Sequence, residues 1–423
     1  MSEWVESPLS QLAAFQKGRK VDTSPFNGDG YAPYLGASGI EGGDDGFAAT
    51  RLAVIAKSTD TLMLWDGERS GLVGYGRQGV VASTVSKLSP SDKVEPKYLY
   101  YALSERFDWI QHRRTGTGVP HVPKDLGRLL KLRYPKQRTI QQRIATILTG
   151  IDTAIEKTEA LIEKYQQIKA GMMHDLFTRG VLPNGQLRPS CEQAPELYQE
   201  TAIGWIPREW RVECASTLCS LITKGTTPAS DEMWQEGDGI RFLRVDNLTF
   251  DGQISYDSSS FRIALKTHLG DLARSRCLPG DVLTNIVGPP LGKVGVISEQ
   301  TGEVNIDQAI AVFRPRDGLN SGFLLQWLTT ETVKRWFLQR AKQTSGQLNL
   351  TLAMCQELPV PSMGLHEQEL ILARAQGCER VIQSEWSKLR LLKSQKSGLM
   401  HDLLTGKVPV NIESKTTTTE AVA

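Results

Sequence analysis

Two stretches of the chain carry one pattern of apolar positions. In the first, Ile144, Leu148, Ile151, Ile155, Ile162, Tyr165, Met172 and Leu176, with the polar Thr158 and Lys169 in step, alternate four- and three-residue spacings. That is the seam of a coiled coil. A shift of 227 residues gives Ile371, Ala375, Cys378, Ile382, Leu389, Leu392, Leu399 and Leu403, with polar Glu385 and Lys396 at the same two places. The same shift carries Gly171-Met-Met-His-Asp-Leu-Phe-Thr-Arg-Gly-Val181 onto Gly398-Leu-Met-His-Asp-Leu-Leu-Thr-Gly-Lys-Val408. Both stretches lack proline, and 136–180 and 365–407 each hold seven basic and five acidic residues. The pattern predicts two equivalent long helices. Neither has a long partner in its own half, so each must bury its seam on the other. The predicted packing is antiparallel, with a globular part at either end and a pseudo-twofold between them.

The sequences before the helices also match, more loosely. Glu3-Trp4 and Lys17-Gly18 parallel Glu209-Trp210 and Lys224-Gly225. Pro96–Leu103 and Ser321–Leu328 both read as helices opening after a turn, and Gly116–Val122 parallels Ser345–Leu350. Arg51–Ile55, Gly79–Val85, Lys293–Ile297 and Ala309–Phe313 read as short strands between Gly/Asp turns. The expected fold is α+β: two mixed α/β globular domains separated by two long antiparallel coiled-coil helices, in tandem repeat. Expected boundaries are a globule over 1–134, a helix over 135–181, a linker over 182–202, a second globule over 203–363, a second helix over 364–408 and a disordered tail over 409–423.

Composition narrows the class. The 423 residues are 40% hydrophobic and 23% charged, ordinary for a globular protein. No apolar run reaches the ~18 residues of a membrane span, and the acidic start MSEWVESPLSQ lacks a secretory leader's basic region. A cytoplasmic location is expected. The six cysteines lie beyond position 190 without a CxxC pair, which argues for reduced thiols rather than a zinc site or disulfides. The formal net charge of +2 neither demands nor excludes nucleic acid. Residues 1–134 carry 17 basic against 15 acidic groups and 181–364 carry 17 against 20, so any basic face must be local.

Several motifs imitate catalytic ones. Gly74-Tyr-Gly-Arg-Gln-Gly79 matches a dinucleotide loop but precedes β-branched Val80-Val-Ala-Ser-Thr-Val85, so a hairpin turn is expected. Gly288-Pro-Pro-Leu-Gly-Lys293 misses the phosphate loop in spacing and in its final Ser/Thr. Asp92 and Glu95 sit at a helix start, where acids and Pro96 serve capping. His174-Asp175 and His401-Asp402 are neighbours on a helix and cannot face each other as a dyad. No catalytic apparatus, metal site or methyltransferase motif can be assembled. What remains is polar and local: Lys17-Gly18-Arg19-Lys20, Lys224-Gly225-Thr226-Thr227-Pro228, and Arg244-Val-Asp246-Asn247, whose Arg and Asn suit guanine and adenine edges. Lys293 and Gln308 fall on neighbouring loops.

These features resemble the specificity subunit of type I restriction–modification systems over nearly the whole chain. The resemblance rests on the duplicated His-Asp-Leu-Phe-Thr and His-Asp-Leu-Leu-Thr helix ends, on Gly204-Trp-Ile-Pro-Arg-Glu-Trp210, on Gly225-Thr-Thr-Pro228 and on Asn305-Ile-Asp-Gln-Ala-Ile310. The first globule lacks the Ile-Pro opening and the Gly-x-x-Pro loop. The resemblance implies a non-catalytic reader of a bipartite, interrupted double-stranded DNA site, one target recognition domain per half-site. The helices would measure the spacer and dock two modification subunits. Those partners would bring S-adenosylmethionine and methylate adenine at N6. Two restriction subunits would use ATP and Mg, so this chain would need no cofactor. The implied DNA-binding residues are Lys17, Arg19, Lys20, Tyr34, Ser38 and Arg77 in the first globule, with Lys224, Thr226, Thr227, Arg244, Asp246, Asn247, Lys293 and Gln308 in the second. The implied docking residues are His174, Asp175, Leu176, His401, Asp402 and Leu403. Two other readings stand beside this one: a coiled-coil scaffold with two ligand-binding globules and no DNA, and the recognition part of a single-chain restriction–methylation enzyme.

Overall fold

A computed structural model describes residues 3–116, 118–256, 261–344 and 346–410. The tail expected from 409 onward lies, past residue 410, outside the described residues. The long helices run Arg138–Thr178 and Leu365–Thr405, 41 residues each. Every predicted seam position is buried or half-buried, the polar ones included. Thr158 returns its hydroxyl to the carbonyl of Ala154 (2.8 Å), so a buried polar side chain in the seam is satisfied within its own helix.

Contacts divide the chain into two compact units, Met1–Leu161 with Glu385–Ala423, and Ile162–Ser384. The division falls within the helices rather than at their ends, because each globule buries one stretch of both. In the first unit Ile140, Ile144 and Leu148 share a core with Met400, Leu403 and Leu404, around Tyr98, Tyr101 and Leu132. In the second, Met173, Leu176 and Phe177 join Ile371 and Ala375 around Trp210, Phe313, Phe323 and Trp327. Asp152 pairs with Lys396 (2.6 Å) and Glu159 with Lys393 (2.8 Å) in the first unit, so one helix ascends as the other descends. Lys169 pairs with Glu379 in the second.

The repeat extends to the sheets, where the two sequences diverge most. The first unit has a four-stranded sheet ordered Ala13–Lys17, Val85–Pro90, Thr61–Leu64, Val73–Tyr75; the second has Cys219–Lys224, Ile310–Pro315, Val282–Asn285, Val294–Val296 in the same order. Each also has a five-stranded sheet: Thr23–Ser24, Phe47–Ala49, Tyr31–Leu35, Gly79–Val81, Ile55–Ala56 in one, and Met233–Trp234, Phe261–Ile263, Ile240–Leu243, Val304–Ile306, Arg276–Cys277 in the other. Strands three and four of each are parallel. A further antiparallel pair, Trp4–Pro8 with Lys131–Pro135 and Arg211–Cys214 with Pro359–Ser362, leads into each long helix. The helices Pro96–Ser104 and Ser321–Leu328 start where expected, the side chains of Glu95 and Asn320 accepting from first-turn amides.

Three local expectations change. The Gly74–Gly79 turn joins strands of different sheets and closes no hairpin. Arg51 and Leu52 form a turn, with Leu52 at φ 61°, and only Ile55–Ala56 is extended. Gly79–Val85 is two strands, because the chain changes sheet between Val81 and Val85. The 182–202 segment is packed: Arg188 is buried, donating to Glu367 and, at 2.8 Å, to Glu209, while Trp210 Nε1 donates to the same Glu367 (3.1 Å).

Candidate nucleic-acid interface

The strand Cys219–Lys224 ends against the strand Val304–Ile306, and Gly225 makes that crossing possible. A Cβ at Gly225 would lie 2.0 Å from the carbonyl oxygen of Ile306 and 2.1 Å from that of Asp307, closer than any side chain allows. Beyond it, Thr227 Oγ1 accepts from the amide of Gln308 (3.4 Å) and Thr226 Oγ1 from Arg274 Nη2 (2.8 Å). The structure therefore brings Lys224, Thr226, Thr227 and Gln308 together and adds exposed Arg274. Sequence reasoning missed Arg274, which lies in a stretch with no counterpart motif in the first half.

The strand Ile240–Leu243 ends beside the same turn, where Asp307 N donates to Leu243 O (3.0 Å). Arg244 follows, exposed, its guanidinium 5.4 Å from the Phe261 ring. Burial pushes the Asp307 carboxyl above its usual range, opposed by the amide of Ala309 and the charge of Arg244. Lys293 donates to the carbonyl of Val245 (3.3 Å) and lies 4.0 Å from exposed Asp246. Asn247 corrects the expectation of a base contact. It is 3% exposed, its Oδ1 accepts from Arg244 N (2.8 Å) and its Nδ2 donates to Ser255 O (3.0 Å). Its amide is consumed in shaping the turn that carries Arg244 and Asp246.

The first unit repeats the crossing. A Cβ at Gly18 would lie 2.1 Å from Ala82 O and 2.3 Å from Val81 O. Lys17 pairs with Asp66 (2.8 Å), and Arg19 and Lys20 are exposed. Ala82 N donates to Leu35 O (3.2 Å), which brings the segment after Tyr34 to the same place. Tyr34 is half-buried, Ser38 is exposed, and Arg77 reaches the carbonyl of Glu41 (3.4 Å), whose carboxylate holds Arg69 (2.6 Å). Among the described residues no three His, Cys, Asp or Glu side chains gather as a metal-ligand set, and no helix is long and apolar enough to cross a membrane.

Residues 1–167 match the family model of the type I restriction modification DNA specificity domain. Across 96% of this chain and 93% of the relative, the sequence is 26% identical to the type I restriction enzyme MjaVIII specificity subunit of Methanocaldococcus jannaschii. The chain is thus similar to type I restriction–modification specificity subunits along nearly its whole length. A putative MjaX specificity subunit of the same organism is 23% identical over 75% of this chain and 69% of its own length. The fold is shared with the S subunit of a type I system from M. genitalium (TM-score 0.56, 15% identity, 95% of this chain and 96% of that one). It is shared too with a chain from a study of complex assembly and conformational transition of the type I R-M system (TM-score 0.59, 16% identity, 96% and 98%).

In this chain the duplicated helix ends divide by burial. Leu176 and Leu403, expected on a docking face, are core residues at 0% and 4% exposure, because the i, i+4 stripe that holds them faces the globule. His174 and His401 are exposed, and Asp175 and Asp402 are half-buried beside Arg179 (3.2 Å) and Lys407 (3.3 Å). Each histidine lines a cavity. In the second unit it is about 320 Å³, bordered by His174, Phe177, Thr178, Trp327 and Glu331; in the first it is about 100 Å³, bordered by His401, Leu404, Thr405 and Arg106.

Proposed function

We propose that each unit reads one half of a bipartite, interrupted DNA site and that the exposed parts of the duplicated helix ends dock two modification subunits. The observation that carries this reading is a single topology occurring twice with different side chains at matching loop positions. Lys17-Gly18-Arg19-Lys20 stands where the second unit has Lys224-Gly225-Thr226-Thr227. Equal scaffolds with unequal loops suit two unlike half-sites. The base-reading set is Arg244, Asp246 and Gln308 in the second unit and Tyr34, Ser38 and Arg77 in the first. Lys17, Arg19, Lys20, Lys224, Thr226, Thr227, Lys293 and Arg274 supply backbone contacts.

The paired helices set the gap between half-sites. This chain contributes recognition and no chemistry: S-adenosylmethionine and the transfer to adenine N6 belong to the modification subunits, ATP and Mg to the restriction subunits. Mapping methylated adenines in DNA of the native host tests the reading. A bipartite motif with a fixed gap, lost when this chain is deleted, is expected. Methylation unchanged by deletion would overturn it.

A further inference from the structure

The hairpin between the short helix and the last strand of each globule is seated alike in both units. Val122 N donates to Trp65 O and Leu350 N to Ile286 O, both at 2.9 Å. Trp65 N donates to Thr84 O (2.7 Å) and Ile286 N to Ala309 O (2.8 Å). Asp66 bridges His121 in the first unit as Val287 pairs with Asn349 in the second, and Thr115 bridges His121 as Lys342 pairs with Asn349. The matching positions are therefore Asp66 with Val287 and His121 with Asn349. The second unit forms this hairpin without an Asp–His pair, so the fold does not require one.

The first unit nevertheless builds it. Asp66 Oδ1 lies 2.7 Å from His121 Nδ1, and Oδ2 lies 2.8 Å from Lys17 Nζ, the residue before the Gly18 crossing. Asp66 is the more enclosed partner, at 19% side-chain exposure against 46% for His121 and 48% for Lys17. A carboxylate at Nδ1 fixes the ring's tautomer and orientation and leaves Nε2 turned away from Asp66. The other charged side chains on the packed elements are Arg114, which donates to Glu68 O (2.6 Å), Arg69, which holds Glu41, the exposed Glu68 and Lys124, and Arg19 and Lys20 after Lys17. Asp66 and Lys17 cancel. The cluster is neutral with a neutral imidazole and carries one positive charge with an imidazolium, so an anion at Nε2 binds together with a proton.

We propose that His121, aimed by Asp66, contacts a DNA phosphate of the first half-site and makes DNA binding proton-linked there. The proposal rests on the half-site reading above. It is tested on the full chain assembled with its modification subunits, using a fluorescein-labelled duplex that carries the host-mapped site and a scrambled duplex. The variants are His121→Asn and the pair Asp66→Val with His121→Asn, which install the second unit's own residues.

In the wild type, affinity should fall about tenfold as pH is raised from about 5 to about 8. In both variants that pH dependence should vanish, and the salt slope at low pH should shrink by about 0.9, one phosphate contact. Variants that melt earlier yet keep the wild-type pH and salt dependence would show a purely structural pin and overturn the proposal. A wild type that does not distinguish the mapped from the scrambled duplex would overturn the half-site reading along with it.

Discussion

Gln141 and Gln368 make the same three hydrogen bonds at the start of the two long helices. Gln141 Oε1 accepts from Glu95 N (2.7 Å), and its Nε2 donates to Lys93 O (3.1 Å) and Pro135 O (2.8 Å). Gln368 Oε1 accepts from Asn320 N (2.8 Å), and its Nε2 donates to Gly318 O (2.8 Å) and Met363 O (3.0 Å). Both side chains are buried. Each clamps the first turn of a long helix to the cap of its unit's short helix. Replacing either by Ala leaves a partly buried N–H and two carbonyls without these partners, at a cost of about 1–3 kcal/mol. Hydrogen exchange should rise in Pro96–Ser104 for Gln141→Ala and in Ser321–Leu328 for Gln368→Ala. A rise in the other unit's helix alone would contradict this.

The interhelix ion pairs obey the same offset, since Asp152 corresponds to Glu379 and Lys169 to Lys396. Asp152→Lys places two ammonium groups together and should cost about 1 kcal/mol, less at high salt, because these partly exposed pairs are screened. Adding Lys396→Asp should restore most of the loss. A double variant no more stable than the single one by urea denaturation would show that the pair contributes nothing.

Arg244 and Asn247 should separate cleanly. Arg244→Ala leaves the turn intact and should relax discrimination at one position of the second half-site by about 1–3 kcal/mol, the worth of a bidentate contact. Asn247→Ala should lower the stability of the second unit by a similar amount through the lost turn bonds, with DNA binding weakened as a consequence. Methylation mapping and thermal unfolding of both variants decide it. Altered base choice at the first half-site would contradict either assignment.

Much of this was legible in the sequence because it depends on periodicity and repetition. The seam, the 227-residue offset and the Gly18 and Gly225 loops all follow from spacing alone. The matching sheet orders were hidden, since short strands of two to six residues leave little period to read and a strand's neighbour is a long-range choice. Asn247 is illegible for a related reason. An Asn beside an exposed Arg suits a base edge, but only the fold shows its amide already spent on Arg244 N and Ser255 O. Repetition alone groups Leu176 and Leu403 with their exposed neighbours, although helical phase points them inward.

Glu303 ties acid stability to the second unit. Hydrogen bonds from His268 (3.0 Å) and then Arg276 (2.7 Å) hold its carboxyl below the usual carboxylate range. A lowered folded-state value means the stabilisation is present above the unfolded-state value and is lost as pH falls through the folded one. Glu303→Gln should therefore flatten the acid side of the unit's stability profile and leave neutral pH mildly destabilised, by less than about 1 kcal/mol at this exposed site. A variant whose midpoint falls with acid as steeply as the wild type's would rule the residue out as the source.

Docking at the repeated helix ends makes the most discriminating prediction, because the repeat supplies its own control. Thr178 and Thr405 occupy matching positions, each returning its hydroxyl to the carbonyl four residues back, His174 O (2.8 Å) and His401 O (2.6 Å). Each borders its unit's cavity beside the exposed histidine. Tryptophan at either place forfeits one local hydrogen bond that competes with the helix ladder, so folding stability should change by only about 0.5 kcal/mol. The indole would instead close the cavity to a partner side chain. Thr178→Trp and Thr405→Trp should each yield a complex with one modification subunit, and the double variant a free specificity subunit. The bases read by the remaining complexes should not change, since both loop clusters are untouched. Native mass spectrometry of the reconstituted complexes reads the stoichiometry directly. Two modification subunits bound to the double variant would place the docking surface elsewhere on the helices.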